Sequence, residues 1–348
     1  MKTINKIVYV TPEIKNKEGR LDFVDSAKGF GMLMVIYLHV TINYPSSINV
    51  YMGSHWDVFV HSMFMPLFFI LSGVFFSARQ PFKVWMAKKV HRLIVPFILF
   101  YVLTYLLNVV LVTFLNVQLK SGFSYWDIFA VFHKDVFPNS AIWFLLALFW
   151  CSFFMYWILK ISEKIAFQLI MVSVLFLCGY LLEKTHTNIP LYVDTAFSAV
   201  PFFYSGVLMK RFCVFDRLAN MVAVKRYLTV ACVGILCFLF DWKYGKGVSM
   251  VNNSGVSLIF LLGGITGSVT CICLAYIIRR MPVVSYIGRY SMLVLCTHMY
   301  LTNAFTKVLL KFDMPFMVSS VSALLLVVIS YYVIVPMAKR VKPLESLL

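Results

Sequence analysis

Charge is what this chain lacks. Only 13% of its 348 residues are Asp, Glu, Lys or Arg and 61% are hydrophobic, too little polar material to cover a water-soluble globule of that length. A soluble enzyme or a soluble binding module is excluded. Residues 1–20 carry no apolar stretch, so they do not read as a cleavable signal peptide, and the first apolar helix serves as its own targeting signal. Of the eight cysteines, seven fall inside apolar runs and Cys213 lies just past one, which excludes a disulfide-stapled secreted domain. Cys271 and Cys273 point to different faces of a helix, and no metal site is expected there. There is no Pro/Ser-rich linker, low-complexity tract or repeat at a fixed period. Residues 1–348 therefore read as a single integral-membrane domain.

What is present in quantity is long apolar sequence. Ten segments are long enough, or nearly so, to cross a bilayer: 24–44, 58–76, 93–115, 142–160, 164–183, 196–210, 227–242, 255–278, 289–310 and 315–337. The sixth and seventh are the shortest. The fold class expected is all-α, a polytopic bundle of about ten transmembrane helices.

Basic residues orient the bundle, because short cytoplasmic loops collect Lys and Arg. With alternate crossings, 24 of the 31 Lys and Arg fall on the side that holds the N-terminus and 7 on the other. Both termini are then cytoplasmic, residues 1–20 as an N-terminal segment and 338–348 as a tail, in a multi-pass protein of the cell's inner membrane. The net charge of +17 follows from this inner-face bias and from attraction to anionic headgroups. It implies the lipid bilayer as a partner, not nucleic acid.

Against this apolar background a few ionisable residues stand out. The first helix carries Asp25, Lys28 and His39, and a titratable side chain deep in lipid usually faces the protein interior and has a role there. Lys28 and His39 are eleven residues apart, close to three turns, so they share a stripe about 16 Å long. That length places His39 about halfway across a core of about 30 Å. Asp25 cannot orient His39, because fourteen helical residues separate them by about 21 Å. Lys88, Lys89 and Arg92 lead into Pro96, and if a helix begins before them, Lys89 and Arg92 share a face at i, i+3 spacing. Such a fork suits a ligand with several phosphates. His61, near the outer end of the second helix, reads as an interface residue. The aromatic 116–141 stretch reads as a headgroup-level belt or a platform for a sugar ring, and Gly263, Gly264, Gly267 and Ser268 read as helix packing.

Taken in order, these blocks resemble the membrane-bound acyltransferase 3 family, particularly its fucose 4-O-acetylase-like branch. The opening block is Asp25, Lys28, Gly29 and His39. It is followed by Phe64-Met-Pro-Leu-Phe-Phe-Ile-Leu-Ser72-Gly73, by Lys89-Val-His-Arg92 with Pro96, and by Ile142-Trp143-Phe-Leu-Leu. Pro201-Phe-Phe-Tyr-Ser-Gly206 and Ile287-Gly288-Arg-Tyr-Ser291 with His298 complete the set. Lys28 and Lys89 stand where many members have Arg, which keeps the charge and loses the bidentate geometry, and Leu38 stands where the branch often has Gly.

The resemblance implies an O-acetyltransferase that takes an acyl group from cytoplasmic acyl-coenzyme A, acetyl-CoA by default, with no metal. The acceptor implied is a hydroxyl of an extracytoplasmic or lipid-linked glycan. On this reading Asp25, Lys28, Lys88, Lys89 and Arg92 hold the donor, Trp143 and Ser72 bind substrate, and His39 and His298 are catalytic. The ninth helix runs the same way as the first and brings His298 to a similar depth. His39 would act as a general base or carry the acyl group itself. The rival classes are a transporter or flippase of a polar or lipid-linked solute and a non-catalytic scaffold. Oligomeric state is open.

Overall fold

Each apolar run folds as a helix, because a backbone in lipid satisfies its N–H and C=O groups only within its own segment. The computed structural model describes residues 21–45, 49, 53–114, 123–133, 139–245, 249–250, 253–278 and 281–341. The N-terminal segment 1–20 and the tail beyond residue 341 lie outside them. The first half of the chain forms α1 (Asp22–Ile42), α2 (His55–Val74), α3 (Phe82–Lys89), α4 (Val95–Thr113), α5 (Trp143–Ile161) and α6 (Ile165–Lys184). The second half forms α7 (Val193–Arg211), α8 (Val214–Ala219), α9 (Ala223–Tyr244), α10 (Leu258–Ile278), α11 (Pro282–Arg289), α12 (Ser291–Leu309) and α13 (Phe316–Lys339). Ten stretches are long and apolar enough to span a membrane, with α3 and α4 joined in one of them. Among the described residues no strand forms beyond an isolated bridge between Ser249 and Ser254.

Three spans differ from hydropathy for local reasons. The third span starts at Phe82, eleven residues before its apolar run, so Lys88, Lys89 and Arg92 sit on a helix and not in a loop. A widened π turn at Val90–Ile94 joins α3 to α4, with the Val95 N–H bonded to the Val90 carbonyl. Pro96 is the cause, since it has no N–H to offer the Arg92 carbonyl four residues earlier. The short sixth and seventh segments become full spans because α7 and α9 extend into polar flanks, α7 to include Asp194 and Arg211 and α9 to include Lys225 and Lys243.

α1, α2, α5 and α7 are the most buried spans, while α6 and α9 lie at the edge. The outward faces of α6 and α9 show Leu169, Ile170, Leu177, Leu228, Ile235 and Leu236, a surface suited to acyl chains and not to water. The inner helices approach closely at paired glycines. A β-carbon on Gly29 would overlap the Val284 carbonyl, and one on Gly288 the Asp25 carbonyl, which locks α1 to α11. Gly73 against Phe203 and Gly206 against Ile70 do the same for α2 and α7. In lipid such backbone approach replaces the hydrophobic drive that holds soluble helices together. On α10, Gly264 packs on Phe202 and Pro66, and Gly263 and Gly267 cradle the Asp241 carboxylate. Asp241 is fully buried and accepts a 2.7 Å hydrogen bond from Ser62 Oγ.

Candidate active site

α1 and the α11–α12 pair run side by side in one register. Ser26 Oγ and Ser285 Oγ lie 2.9 Å apart at the α11 end, and thirteen residues further along each chain segment His298 Nε2 reaches His39 Nδ1 at 3.4 Å. The two imidazoles meet edge to face, with ring centroids 4.9 Å apart and planes inclined at 72°. α1 continues only three residues past His39, so the ring sits in the last turn of the helix and not midway along it. The helix starts at Asp22, which uses part of its length before Lys28.

Backbone carbonyls fix the tautomers. His39 Nδ1 is 2.8 Å from the Val35 carbonyl, and His298 Nδ1 is 2.9 Å and 3.0 Å from those of Val294 and Leu295. A carbonyl only accepts, so both Nδ1 atoms carry the proton and both Nε2 atoms keep a lone pair. The His298 lone pair faces the His39 N–H. Among the described residues nothing bonds His39 Nε2, the state required of a base or a nucleophile.

His39 lines a cavity of about 200 Å³ together with His61, Phe64, Trp143, Ser140 and Met250. A second cavity, of about 140 Å³, is lined by Lys28, Ser72, Leu93, Phe144 and Ser291. Val35, Met65 and Leu295 belong to both walls, so these three side chains are the partition between them. The structure thus brings His39 and Trp143 to one chamber, with His298 buried behind His39, and Lys28 and Ser72 to its neighbour on the side of the Lys- and Arg-rich ends.

The remaining expected donor-binding residues stand apart from these walls. Asp25 is half-buried at the α1–α11 crossing. Lys88 and Arg92 are exposed, and Lys89 is half-buried with its ammonium 5.4 Å from the centre of the Phe76 ring. The i, i+3 alignment expected of Lys89 and Arg92 belongs to a regular α-helix, and the turn between them is π. Leu93, next to Arg92, does reach the Lys28 chamber. A further cation joins this end of the bundle: Lys210 Nζ donates to the Phe76 carbonyl at 2.7 Å. Of the aromatic stretch, Trp126, Phe129 and Phe132 are exposed on a 3₁₀ helix at Tyr125–His133, and the His39 chamber is built without them.

His61 is more than the interface residue that its sequence position suggests. Its Nδ1 is 2.8 Å from Asp57 Oδ1 and 2.8 Å from the Asp57 carbonyl. Ser54 caps the helix by accepting from the Asp57 N–H, and Asp57 Oδ2 accepts from the Gly53 N–H at 2.8 Å. The Ser54, Asp57, His61 spacing is an N-cap followed by an i, i+4 pair, the signal by which sequence could have found it.

Comparison with known proteins shows the family. The model of an acyltransferase domain, the acyltransferase 3 family, matches residues 21–338. The chain belongs to that family. Curated relatives of this acyltransferase include the Glucans biosynthesis protein C of Shigella dysenteriae serotype 1, 27% identical over 278 residues that cover 69% of this chain and 71% of the relative. Its counterpart in Escherichia coli K12 is 26% identical over the same shares. No solved structure matches. The glycines of the α1–α11 and α2–α7 crossings fall in the blocks that carry the family resemblance, which gives those blocks a packing role beside any chemical one.

Proposed function

We propose that this acyltransferase moves a short acyl group from cytoplasmic acyl-coenzyme A to a hydroxyl of an extracytoplasmic or lipid-linked glycan, in the cell's inner membrane. The observation that carries the reading is the bare Nε2 of His39, facing a chamber that adjoins a second one lined by Lys28. Lys89, Arg92 and Lys88 would hold the donor phosphates at the basic face, with Lys28 and Asp25 at the mouth. The pantetheine arm would pass Ser72 and the Val35–Met65–Leu295 partition. The acceptor would enter from the His61 and Trp143 side.

In the reaction His39 Nε2 takes the hydroxyl proton as the acceptor oxygen bonds to the thioester carbon. The carbon–sulfur bond then breaks, and the imidazolium returns that proton to the leaving sulfur. A positioned base of this kind contributes about 10²–10⁴-fold. His298 is buried and accepts a share of the His39 Nδ1–H, beside the Val35 carbonyl that keeps the ring in the reactive tautomer. The residue blocks favour the fucose 4-O-acetylase-like branch, so acetyl is the donor group proposed. The glucan biosynthesis relatives favour a glucose-containing acceptor. No metal takes part in this scheme.

The test is thiol release from acetyl-CoA by the purified protein. Activity that disappears in His39→Ala supports the assignment. Coenzyme-A-independent solute flux that survives the same change rejects it in favour of a transporter.

A further inference from the structure

Two imidazoles face the outer chamber, and they are held in different ways. His39 rests on a carbonyl and a second imidazole, with no carboxylate bonded to its ring among the described residues. His61 has a carboxylate. Asp57 Oδ1 sits 2.8 Å from its Nδ1, and the other Asp57 oxygen is held by the Gly53 N–H. The Asp57 side chain can therefore neither swing away nor turn its Oδ1 elsewhere without losing a hydrogen bond.

This brace has two consequences for His61. Its ring is fixed with Nδ1 toward α2's own first turns, which directs Nε2 away from them, and the carboxylate makes that Nε2 a stronger hydrogen-bonding group. Around it the chamber is mostly apolar, with Phe64, Met65, Leu38, Ile42 and Trp143 in its wall. A mostly apolar pocket with a few fixed polar groups is the usual form of a small-ligand site. Here the polar side chains in the wall are a bare base on α1, a braced imidazole on α2 and the hydroxyls of Ser140 and Ser249. A ligand matched to both imidazoles offers two hydrogen-bonding groups on one small, otherwise C–H-rich frame.

We propose that the Asp57–His61 pair is the acceptor subsite: His61 Nε2 binds a hydroxyl on the carbon adjacent to the one whose hydroxyl His39 deprotonates. The ligand class is a vicinal diol, as on a pyranose ring, with its C–H face against Trp143. His61 is a positioning residue in this scheme, and Asp57 acts through it. The proposal rests on the acyltransferase reading above.

Small alcohols test it whichever glycan is the acceptor. Propane-1,2-diol and propan-1-ol serve as acceptor probes for the purified full chain with acetyl-CoA, and ester formation is followed by mass spectrometry. The wild type is expected to show a lower KM for the diol. His61→Ala should raise the diol KM roughly tenfold, to that of propan-1-ol, while moving kcat less than threefold, as for one lost hydrogen bond to a charge-assisted partner. Asp57→Asn should shift it in the same direction by less. His61→Gln, whose amide reaches the position of Nε2, should restore part of the preference, and it covers the case that His61→Ala does not fold.

Equal KM values for the two alcohols in the wild type overturn the proposal, as does a preference that persists in His61→Ala and Asp57→Asn. So does failure of a wild type that still hydrolyses acetyl-CoA to acylate either alcohol. A wild type whose thioester cleavage is indifferent to His39→Ala instead removes the parent reading.

Discussion

Ser26 and Ser285 are hydrogen-bonded at 2.9 Å across 259 residues of chain, the same offset that separates His39 from His298. One parallel register therefore sets both contacts, and the pairing of Gly29 with Gly288 between them obeys it too. The imidazole pair is a product of helix packing. Its chemistry depends on how firmly α11 and α12 are held against α1.

That dependence makes His298 the first residue to test. In His298→Ala the His39 Nδ1–H loses one of its two acceptors while the Val35 carbonyl still fixes the tautomer. Acetyl transfer should fall roughly ten- to hundredfold, less than the roughly 10²–10⁴-fold expected for removal of the base itself. The double variant with His39→Ala should be no slower than His39→Ala alone, because the two act as a unit. Single-turnover thiol release at saturating acetyl-CoA measures all three. Equal losses in the two single variants would instead make His298 a second base.

The register itself is tested at the glycines. Gly29→Ala and Gly288→Ala each place a methyl group onto a carbonyl oxygen of the facing helix, which no side-chain rotation relieves. Overpacking of this kind costs about 1–3 kcal/mol, more where the backbone cannot shift. Gly234→Ala is the comparison, since its β-carbon would meet only side-chain atoms of Cys273 and should cost less than about 1 kcal/mol. Thermal unfolding in detergent should show clear drops in Tm for the first two and a small one for the third. Transfer activity should fall with them at Gly29 and Gly288, because separating the helices also separates the imidazoles.

How far the site could be read from sequence follows from what each part depends on. Ten spans were legible because hydrophobic length is a local property of the chain. The similar depth of His39 and His298 was legible too, since two helices crossing in the same direction carry residues to comparable depth, while their contact is set by the α1 to α11–α12 packing. The true start of α3 was not, because Lys88, Lys89 and Arg92 are too polar to count as span, and only the helical run from Phe82 includes them. Lys210 was hidden for another reason: its partner is a backbone carbonyl on the far side of a helix crossing. His61 was visible as a spacing with Asp57, but its aim into the His39 chamber is set by the rotation of α2, which Gly73 and Gly206 fix.

The basic residues near the α2–α3 connection give a prediction that separates donor binding from chemistry. Lys89→Gln combined with Arg92→Gln should raise the KM for acetyl-CoA more than it lowers kcat, since in the proposed scheme these groups would hold phosphates alike in ground and transition states. Salt should mimic the effect, because exposed charges such as Arg92 are screened within about 8–10 Å at physiological ionic strength. Lys210→Gln is expected to act in the same direction and also to loosen the Phe76 carbonyl it holds. Titrating acetyl-CoA at two ionic strengths gives both parameters. An unchanged donor KM in the double variant would remove these cations from the donor site.

The partition between the chambers offers the sharpest test of a continuous path. Leu295 lines both cavities and lies one turn before His298, so on this reading its side chain sets the width of the passage, while the backbone carbonyl that holds His298 Nδ1 is kept in any substitution. Leu295→Phe should narrow the passage and lower acetyl transfer at least about tenfold, with the overpacking cost of about 1–3 kcal/mol visible as a lower Tm. Leu295→Ala removes the obstruction and leaves space, at a stability cost of about 2–5 kcal/mol. Its kinetic signature is opposite: the rate with butyryl-CoA relative to acetyl-CoA should rise, because the acyl chain extends into volume that the leucine filled. Competition between the two donors in one reaction, read by mass spectrometry of the products, cancels any loss of folded protein. Were the donor to reach His39 by a route outside these chambers, both substitutions would leave the donor ratio where the wild type has it.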